Sequence, residues 1–204
     1  MDSSSLRGKV VLQIIPALNS GGAERTAVDI AEALIEEGAR ALVASEGGRL
    51  VGELQKKGGI FIPFPAATKS PLTIWKNVAR LEALCQSNHV DVIHARSRSP
   101  AWSALIAARR LNVPFVTTVH GNHKSGSFLK RFYNSVMARG DAVIANSERT
   151  VQWISQHYPW ASSKVVAISR GTDLRRFSLE AVDQTRRDQK RAQWGICLLY
   201  TSDA

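Results

Sequence analysis

Short apolar runs alternate with segments of helical periodicity along most of this chain. The first run, residues 10–15, is almost wholly apolar and rich in β-branched residues, which is typical of a strand buried on both faces. Residues 23–37 then place Ala27, Ile30 and Leu34 at helical spacing, and Gly38 stands where a helix C-cap is expected. The same alternation predicts further strands at 41–45, 60–64, 91–95, 115–119, 142–145 and 164–168, and helices at 50–57, 71–84, 100–111, 128–139 and 147–157.

Strands and helices in this order predict an α/β fold. We expect a Rossmann-like parallel sheet of about seven strands with helices on both faces. After Ser169 the pattern breaks down into a charged helix at 179–194 and a short apolar tail. We therefore expect one domain at residues 1–177, a connecting helix at 178–195, and a non-native tail at 196–204 left by a truncated reading frame.

Composition narrows the class of protein. Hydrophobic residues make up 44% of the 204 positions and charged residues 22%, which is ordinary for a soluble globular protein. We find no apolar run near the roughly 18 residues that cross a bilayer, and no signal peptide in residues 1–8. Cys85 and Cys197 match no disulfide or zinc spacing, so we expect a cytoplasmic protein.

The charge is unevenly distributed. The chain has 27 basic and 17 acidic residues, and residues 69–139 hold 11 of the basic ones against only Glu82 and Asp91. Such a sector attracts nucleic acid, an anionic membrane or phosphorylated substrates, or it is a solvated face with no partner. We find no helix-turn-helix, RNA-binding or zinc-finger signature, so we expect no nucleic acid.

Ligands of a parallel sheet bind at the carboxyl ends of its strands. After the first strand, Gly21 and Gly22 stand at a helix start, where free N–H groups and the helix dipole favour a phosphate. A plain tight turn explains the same pair. The loop is neither a G-x-G-x-x-G nor a Walker A motif, so a kinase or ATPase has no support.

Two other strand ends carry polar residues. Arg96, Ser97 and Arg98 follow the fourth strand beside a helix start, and they suit an anionic group unless they simply face solvent. His120 ends the fifth strand, where it suits a reaction centre or a structural role satisfied by the backbone. His120 and His123 have no evident third partner for zinc, so we expect no metal site.

Five motifs in order resemble the N-terminal domain of the family 4 retaining glycosyltransferases of GT-B fold, which include enzymes of lipopolysaccharide core and capsule assembly. They are the S-G-G-A-E-R of residues 20–25, the D-V-I-H of 91–94, the T-V-H-G of 118–121, the A-N-S-E of 145–148 and the R-G-T-D of 170–173 with Phe177. The resemblance covers about residues 9–177 and implies that the chain ends before the donor-binding second domain of that fold.

The resemblance implies a role for each motif. His120 would lie beside the transferred sugar as the catalytic residue, while Gly21 and Gly22 would contact the diphosphate or sugar of a nucleotide-sugar donor. Arg96, Ser97 and Arg98 are our candidates for the glycan or lipid-linked acceptor. The interdomain turn would comprise Arg170, Gly171 and Asp173, with Arg170 replacing the family's asparagine.

We therefore expect a retaining hexosyltransferase-type enzyme that needs no cofactor and no metal, and whose fragment alone is inactive. The alternative is a non-catalytic Rossmann-like module that binds a phosphorylated ligand. We also expect peripheral contact with the inner face of an anionic membrane through Lys124, Lys130 and Arg131. The apolar stripe of the same helix, formed by Phe128, Leu129, Phe132, Tyr133 and Val136, is expected to cover mainly the core.

Overall fold

In the computed structural model, which describes residues 6–68, 70–121, 127–171, 178 and 183–196, seven strands form one sheet. All neighbouring strands are parallel, and their order is β3-β2-β1-β4-β5-β6-β7. The predicted fold class is therefore confirmed. The strands are β1 Val10–Ile14, β2 Arg40–Ser45, β3 Ile60–Pro63, β4 Val92–Ala95, β5 Phe115–Val119, β6 Ala142–Ala145 and β7 Val165–Ala167.

The helices occupy most of the predicted segments. They are α1 Gly22–Glu36, α2 Val51–Lys56, α3 Pro71–Asn88, α4 Arg98–Leu111, α5 Phe128–Asn134, α6 Glu148–His157 and α7 Gln184–Trp194, with 3₁₀ helices at Ser135–Ala138 and Pro159–Lys164. The chain divides into two compact units at Ser169, and only α7 of these elements lies in the second. Residues 172–177 and 197–204 lie outside the described ranges, so the boundaries expected at 177 and 196 stay predictions.

Two hydrophobic layers flank the sheet. Leu12 and Ile14 of β1 belong to the larger layer, which includes buried residues of α3 and α4. Ile15 and Val43 belong to the smaller layer with residues of α1 and α2. Successive side chains of a strand point to opposite faces, so a strand packed on both sides is apolar at almost every position, as β1 is.

The helix expected at residues 128–139 differs from the prediction. It ends at Asn134, and the 3₁₀ helix Ser135–Ala138 takes the buried positions. Phe128 and Leu129 are 83% and 78% exposed, and Phe132 is also exposed. The expected core stripe is therefore wrong for these three side chains, but it is right for Val136, which is fully buried in the tighter turn after Asn134.

Two aspartates fix the amino-terminal edge of the sheet. Asp91, just before β4, accepts hydrogen bonds from the Val10 amide (2.8 Å) and from Lys9 Nζ (3.0 Å). Asp141, just before β6, likewise accepts from the Phe115 amide (2.9 Å). The Val10 amide, and then Lys9, lower the pKa of Asp91 below its ordinary value.

Asp91→Asn is expected to lower the free energy of unfolding at pH 7 by about 1 kcal/mol, because the ion pair is partly exposed and screened. The pKa of Asp91 is depressed in the folded state, so its charge stabilises the fold above the unfolded pKa. That contribution is lost as the pH falls through the folded value. Urea unfolding from pH 7 to about pH 3 should show the variant and the parent converging in acid.

Glu36→Gln, an exposed change at the end of α1, is the control and should have little effect at either pH. A stability difference for Asp91→Asn that stays constant down to pH 3 would contradict the assignment.

Candidate functional site

The sequence-predicted site residues gather where the strand order changes direction. The chain leaves β1 toward β2 on one side, whereas β4 lies on the other side of β1. Such a switch point opens a crevice beyond the carboxyl ends of the strands. Gly21 and Gly22 follow β1, Arg96 follows β4, and His120 follows β5.

A cavity of about 260 Å³ lies at this crevice, and we call it the inner cavity. It is formed by the ends of β1, β4 and β5 and by the first turn of α1. The structure thus brings together Arg96, Ser97, Arg98 and His120 as the sequence analysis expected. The lining residues are Ile15, Pro16, Ala23, Glu24, Arg96, Ser97, Arg98, Thr118, His120 and Met137.

Arg96 places a buried positive charge on the inner cavity. Its side chain is 3% exposed, and its Nε donates to Gln13 Oε1 at 2.5 Å. Gln13 Nε2 in turn donates to the carbonyl of Ala27 in α1 at 3.0 Å. Burial lowers the pKa of Arg96 to about 10, so the guanidinium stays protonated near neutral pH. Within the described ranges no carboxylate forms an ion pair with it, and the charge is therefore available to a ligand.

A buried histidine, His94, contacts Thr118, which is one of the residues that line the inner cavity. His94 Nε2 lies 2.7 Å from Thr118 Oγ1, in hydrogen-bonding contact. Burial first, and then the charges of Arg96 and His120, lower the pKa of His94 well below its ordinary value. A neutral imidazole therefore holds the Thr118 hydroxyl, which lines the inner cavity.

His120 is half-buried and lines the inner cavity. Its backbone carbonyl accepts a hydrogen bond from Asn146 Nδ2 (3.3 Å), which links the loop after β5 to the loop after β6. Gly121 follows with a φ of 148°, a conformation that L side chains rarely adopt. This turn ends β5 and leaves the imidazole at the cavity wall.

The glycine loop carries a carboxylate next to its N-cap. The Gly21 amide donates to Glu24 Oε2 at 2.7 Å, so the carboxylate satisfies the N–H group that lies just before α1. Gly21 and Gly22 are exposed, and the inner cavity borders Ala23 and Glu24 instead.

A second loop supports the glycine loop. Leu18 donates to the Gly47 carbonyl (2.8 Å) and accepts from the Leu50 amide (2.8 Å), which joins the loops after β1 and β2. Gly48 has a φ of 144°, and a Cβ there would lie 2.4 Å from the Leu18 carbonyl oxygen. Only glycine fits this position, because both the backbone conformation and the space exclude a side chain.

The other predicted residues belong to α5, to the second compact unit, or to ranges that the structure does not describe. Arg170 and Gly171 belong to the second compact unit, whereas Asp173, Lys124 and His123 lie outside the described residues. Lys130 and Arg131 are exposed on α5, and Arg131 Nη2 donates to the His157 carbonyl (2.9 Å).

Other basic residues of the sector have structural partners. Arg109 pairs with Asp141 (2.8 Å) and Arg110 with Glu82 (3.1 Å). The Arg139 guanidinium lies 5.6–5.9 Å from the ring centroids of Trp102, Phe132 and Trp160. The basic excess therefore serves the fold in part, and only some of it faces the cavities.

Four residues that line or support the inner cavity were given no role from sequence. Gln13 gave the clearest signal, because it is the one polar residue in the apolar run at 10–15 and is fully buried. His94, Glu24 and Thr118 lie within the quoted motifs, but nothing in the sequence separates them from their neighbours there.

The described residues contain neither a metal site nor a membrane-spanning helix. No group of three or more His, Cys, Asp or Glu side chains there is placed to hold a metal ion. In the same part of the chain, every helix is too short or too polar to cross a membrane.

Family comparisons agree with the motif resemblance. The family model described as Glycosyltransferase Family 4 matches residues 20–176. A D-inositol 3-phosphate glycosyltransferase of Nocardiopsis dassonvillei is 25% identical over 111 residues, which are 48% of this chain and 26% of that protein. A D-inositol 3-phosphate glycosyltransferase of Jonesia denitrificans is 25% identical over 140 residues, which are 59% of this chain and 31% of that protein.

Solved structures share the fold. A glycosyltransferase from Rickettsia africae is 32% identical with a TM-score of 0.81, covering 93% of this chain and 50% of that one. Anabaena Alr3699/HepE, solved in complex with UDP-glucose, is 21% identical with a TM-score of 0.69, covering 91% and 50%. The present chain thus spans about half the length of these two proteins.

The Arg96–Gln13 pair gives a test by double-mutant cycle. Gln13→Leu removes the acceptor from a buried cation and is expected to lower the free energy of unfolding by about 2–4 kcal/mol. Adding Arg96→Met should recover most of that loss, because the cation is then gone as well. Urea unfolding at pH 7 measures both, and Gln55→Leu on the exposed face of α2 is the matched control. Strictly additive effects of the two substitutions would contradict the coupling.

Proposed function

Because the chain belongs to glycosyltransferase family 4, we propose that it forms the acceptor-side half of an enzyme that transfers a hexose from a nucleotide-diphosphate-sugar to a glycan or lipid-linked acceptor. The observation that carries this proposal is the inner cavity, where Arg96 and His120 meet at the sheet's switch point. Family membership favours a transferase over a non-catalytic phosphate-binding module.

The donor is proposed to approach from the glycine loop. Gly21 and Gly22 would contact its diphosphate or sugar, and Glu24, which already accepts a hydrogen bond, would accept from sugar hydroxyls. The complex of Anabaena Alr3699/HepE with UDP-glucose supports a nucleotide-sugar donor by fold analogy alone.

The acceptor is proposed to occupy the ends of β4 and β5. Arg96, Ser97 and Arg98 would hold it, with the Thr118 hydroxyl as a further contact. His120 would hydrogen-bond the transferred sugar as charge develops on it. The rest of the proposal is supported by the family resemblance. The reaction would proceed with retention and without a metal or other cofactor, and it would belong to lipopolysaccharide or capsule assembly.

The second half of the site is proposed to come from a further domain, reached through the turn of Arg170, Gly171 and Asp173. This chain spans 50% of the Rickettsia glycosyltransferase, which supports the proposal. Catalysis depends on positioning both substrates, so the 204-residue chain alone is expected to transfer no sugar.

The test is His120→Ala in a protein that carries both halves. We expect kcat to fall by a factor that corresponds to about 2–4 kcal/mol of transition-state stabilisation, with a much smaller change in KM. Nucleotide release from the donor measures it. His89→Asn, an exposed change at the end of α3, is the control, since the left-handed backbone there suits asparagine. Wild-type kcat in His120→Ala, or turnover by the 204-residue chain, would contradict the proposal.

We further propose that α5 contacts the inner face of an anionic membrane from the cytoplasm. Phe128 and Leu129 are among the most exposed apolar side chains described, and Lys130 and Arg131 follow them directly. Apolar side chains beside basic ones suit a membrane interface. Lys124 would add to this surface from just before the helix.

Vesicle co-sedimentation tests the contact. Lys130→Gln/Arg131→Gln is expected to weaken binding to anionic vesicles about thirtyfold, since each basic residue near such a surface contributes about 1 kcal/mol. The control, Lys76→Gln/Arg80→Gln, removes the same charge from exposed positions of α3. Equal binding to neutral and anionic vesicles, or binding unchanged at high salt, would exclude this role.

A further inference from the structure

A second cavity, of about 480 Å³, adjoins the inner one, and we call it the outer cavity. Pro16, Ser97 and Arg98 line both cavities, so the two are contiguous. The outer cavity lies between the start of α4 and the helix α5. Its lining residues are Pro16, Ala67, Ser97, Arg98, Ser99, Lys130, Tyr133 and Asn134.

The lining of the outer cavity is basic. Arg98 and Lys130 contribute to it, and the described residues that line it include no aspartate or glutamate. None of the described ion pairs involves Arg98 or Lys130. Of the charged residues that the structure describes here, an anion in this cavity therefore meets two positive ones and no negative one.

Asn134 supplies an independent observation. Its side chain is 1% exposed, and its Oδ1 accepts a hydrogen bond from Arg98 Nη1 at 2.8 Å. A guanidinium can only donate, so this contact fixes the orientation of the amide. The other end of the amide, Nδ2, is then a buried donor, and it finds no acceptor among the described residues. Buried donors are nearly always satisfied, so Nδ2 indicates an acceptor that comes with a ligand.

The start of α4 also favours an anion. The N-cap residue, Ser97, makes no side-chain capping bond. The Ser99 hydroxyl donates to the carbonyls of Ala66 (2.8 Å) and Thr68 (2.7 Å). The first turn of this 14-residue helix thus offers its N–H groups and its dipole to the cavities.

We propose that the outer cavity binds a phosphate group carried by the acceptor, with Arg98 and Asn134 Nδ2 as its donors and Lys130 as a further cation. The acceptor's reacting hydroxyl would then lie in the adjoining inner cavity, beside His120. Assigning the phosphate to the acceptor rests on the proposed function, whereas phosphate binding by the outer cavity does not.

Asn134→Asp is the decisive variant. It keeps the oxygen that accepts from Arg98 and replaces the unsatisfied donor with a negative charge, so the fold should be at least as stable. Titration of the 204-residue chain with methyl phosphate, followed by NMR, should move the Asn134 side-chain amide signals. In Asn134→Asp we expect methyl phosphate to bind at least tenfold more weakly, while Gln86→Glu, an exposed change of equal charge on α3, leaves binding unchanged.

Two further experiments identify the source of the phosphate and the cavity that binds it. Displacement of methyl phosphate by vesicles of phosphatidic acid in phosphatidylcholine, but not by phosphatidylcholine alone, would assign the phosphate to a lipid headgroup. No displacement would assign it to a soluble or glycan-borne phosphate. Arg96→Gln should weaken methyl phosphate binding much less than Asn134→Asp does, because Arg96 lines only the inner cavity.

The proposal is overturned if methyl phosphate leaves the Asn134 amide unmoved, or if Asn134→Asp binds it as the parent does. Binding lost in Arg96→Gln but kept in Asn134→Asp would also overturn it, by assigning the phosphate to the inner cavity. None of these measurements involves sugar transfer, so their failure is distinct from a failure of the proposed transferase activity.

Discussion

The site depends on a protonated guanidinium that is buried in the layer between the sheet and α1. Arg96 reaches this position because Gln13, in the middle of β1, accepts from it and is itself bonded to the Ala27 carbonyl. A buried cation without a carboxylate costs free energy, and the chain accepts that cost at the one edge of the sheet where the strand ends converge. Stability alone would favour an apolar residue at position 96, and its arginine is consistent with the proposed role in acceptor binding.

Much of the fold could be read from the sequence because its signals are local. Apolar runs such as residues 10–15 mark strands buried on both faces, and glycines such as Gly38 mark the ends of helices. The convergence of Arg96, Ser97, Arg98 and His120 followed from the parallel topology, which places every carboxyl strand end on one edge. Loops at that edge therefore converge whatever their separation along the chain.

The sequence could not show how deeply a side chain is buried or which groups it contacts. The stripe on α5 has ordinary helical spacing, and periodicity does not reveal that Phe128 and Leu129 extend past the core. The Glu24 carboxylate accepts a hydrogen bond from the Gly21 amide, which no count of glycines could indicate. Similarly, Arg96, Arg109 and Arg139 contribute equally to the net charge, yet one faces a cavity, one pairs with Asp141 and one lies over aromatic rings.

Gly48 has a consequence for how mutations in the neighbouring glycine loop are interpreted. It lies one loop away from Gly21 and Gly22, and its lack of a side chain leaves room for the Leu18 carbonyl. A larger residue at 48 would displace the loop that leads to Gly21 and Gly22 without altering either of these two proposed donor contacts. A screen that scored only activity would therefore place Gly48 among the substrate-binding positions, although what it accommodates is the protein's own backbone.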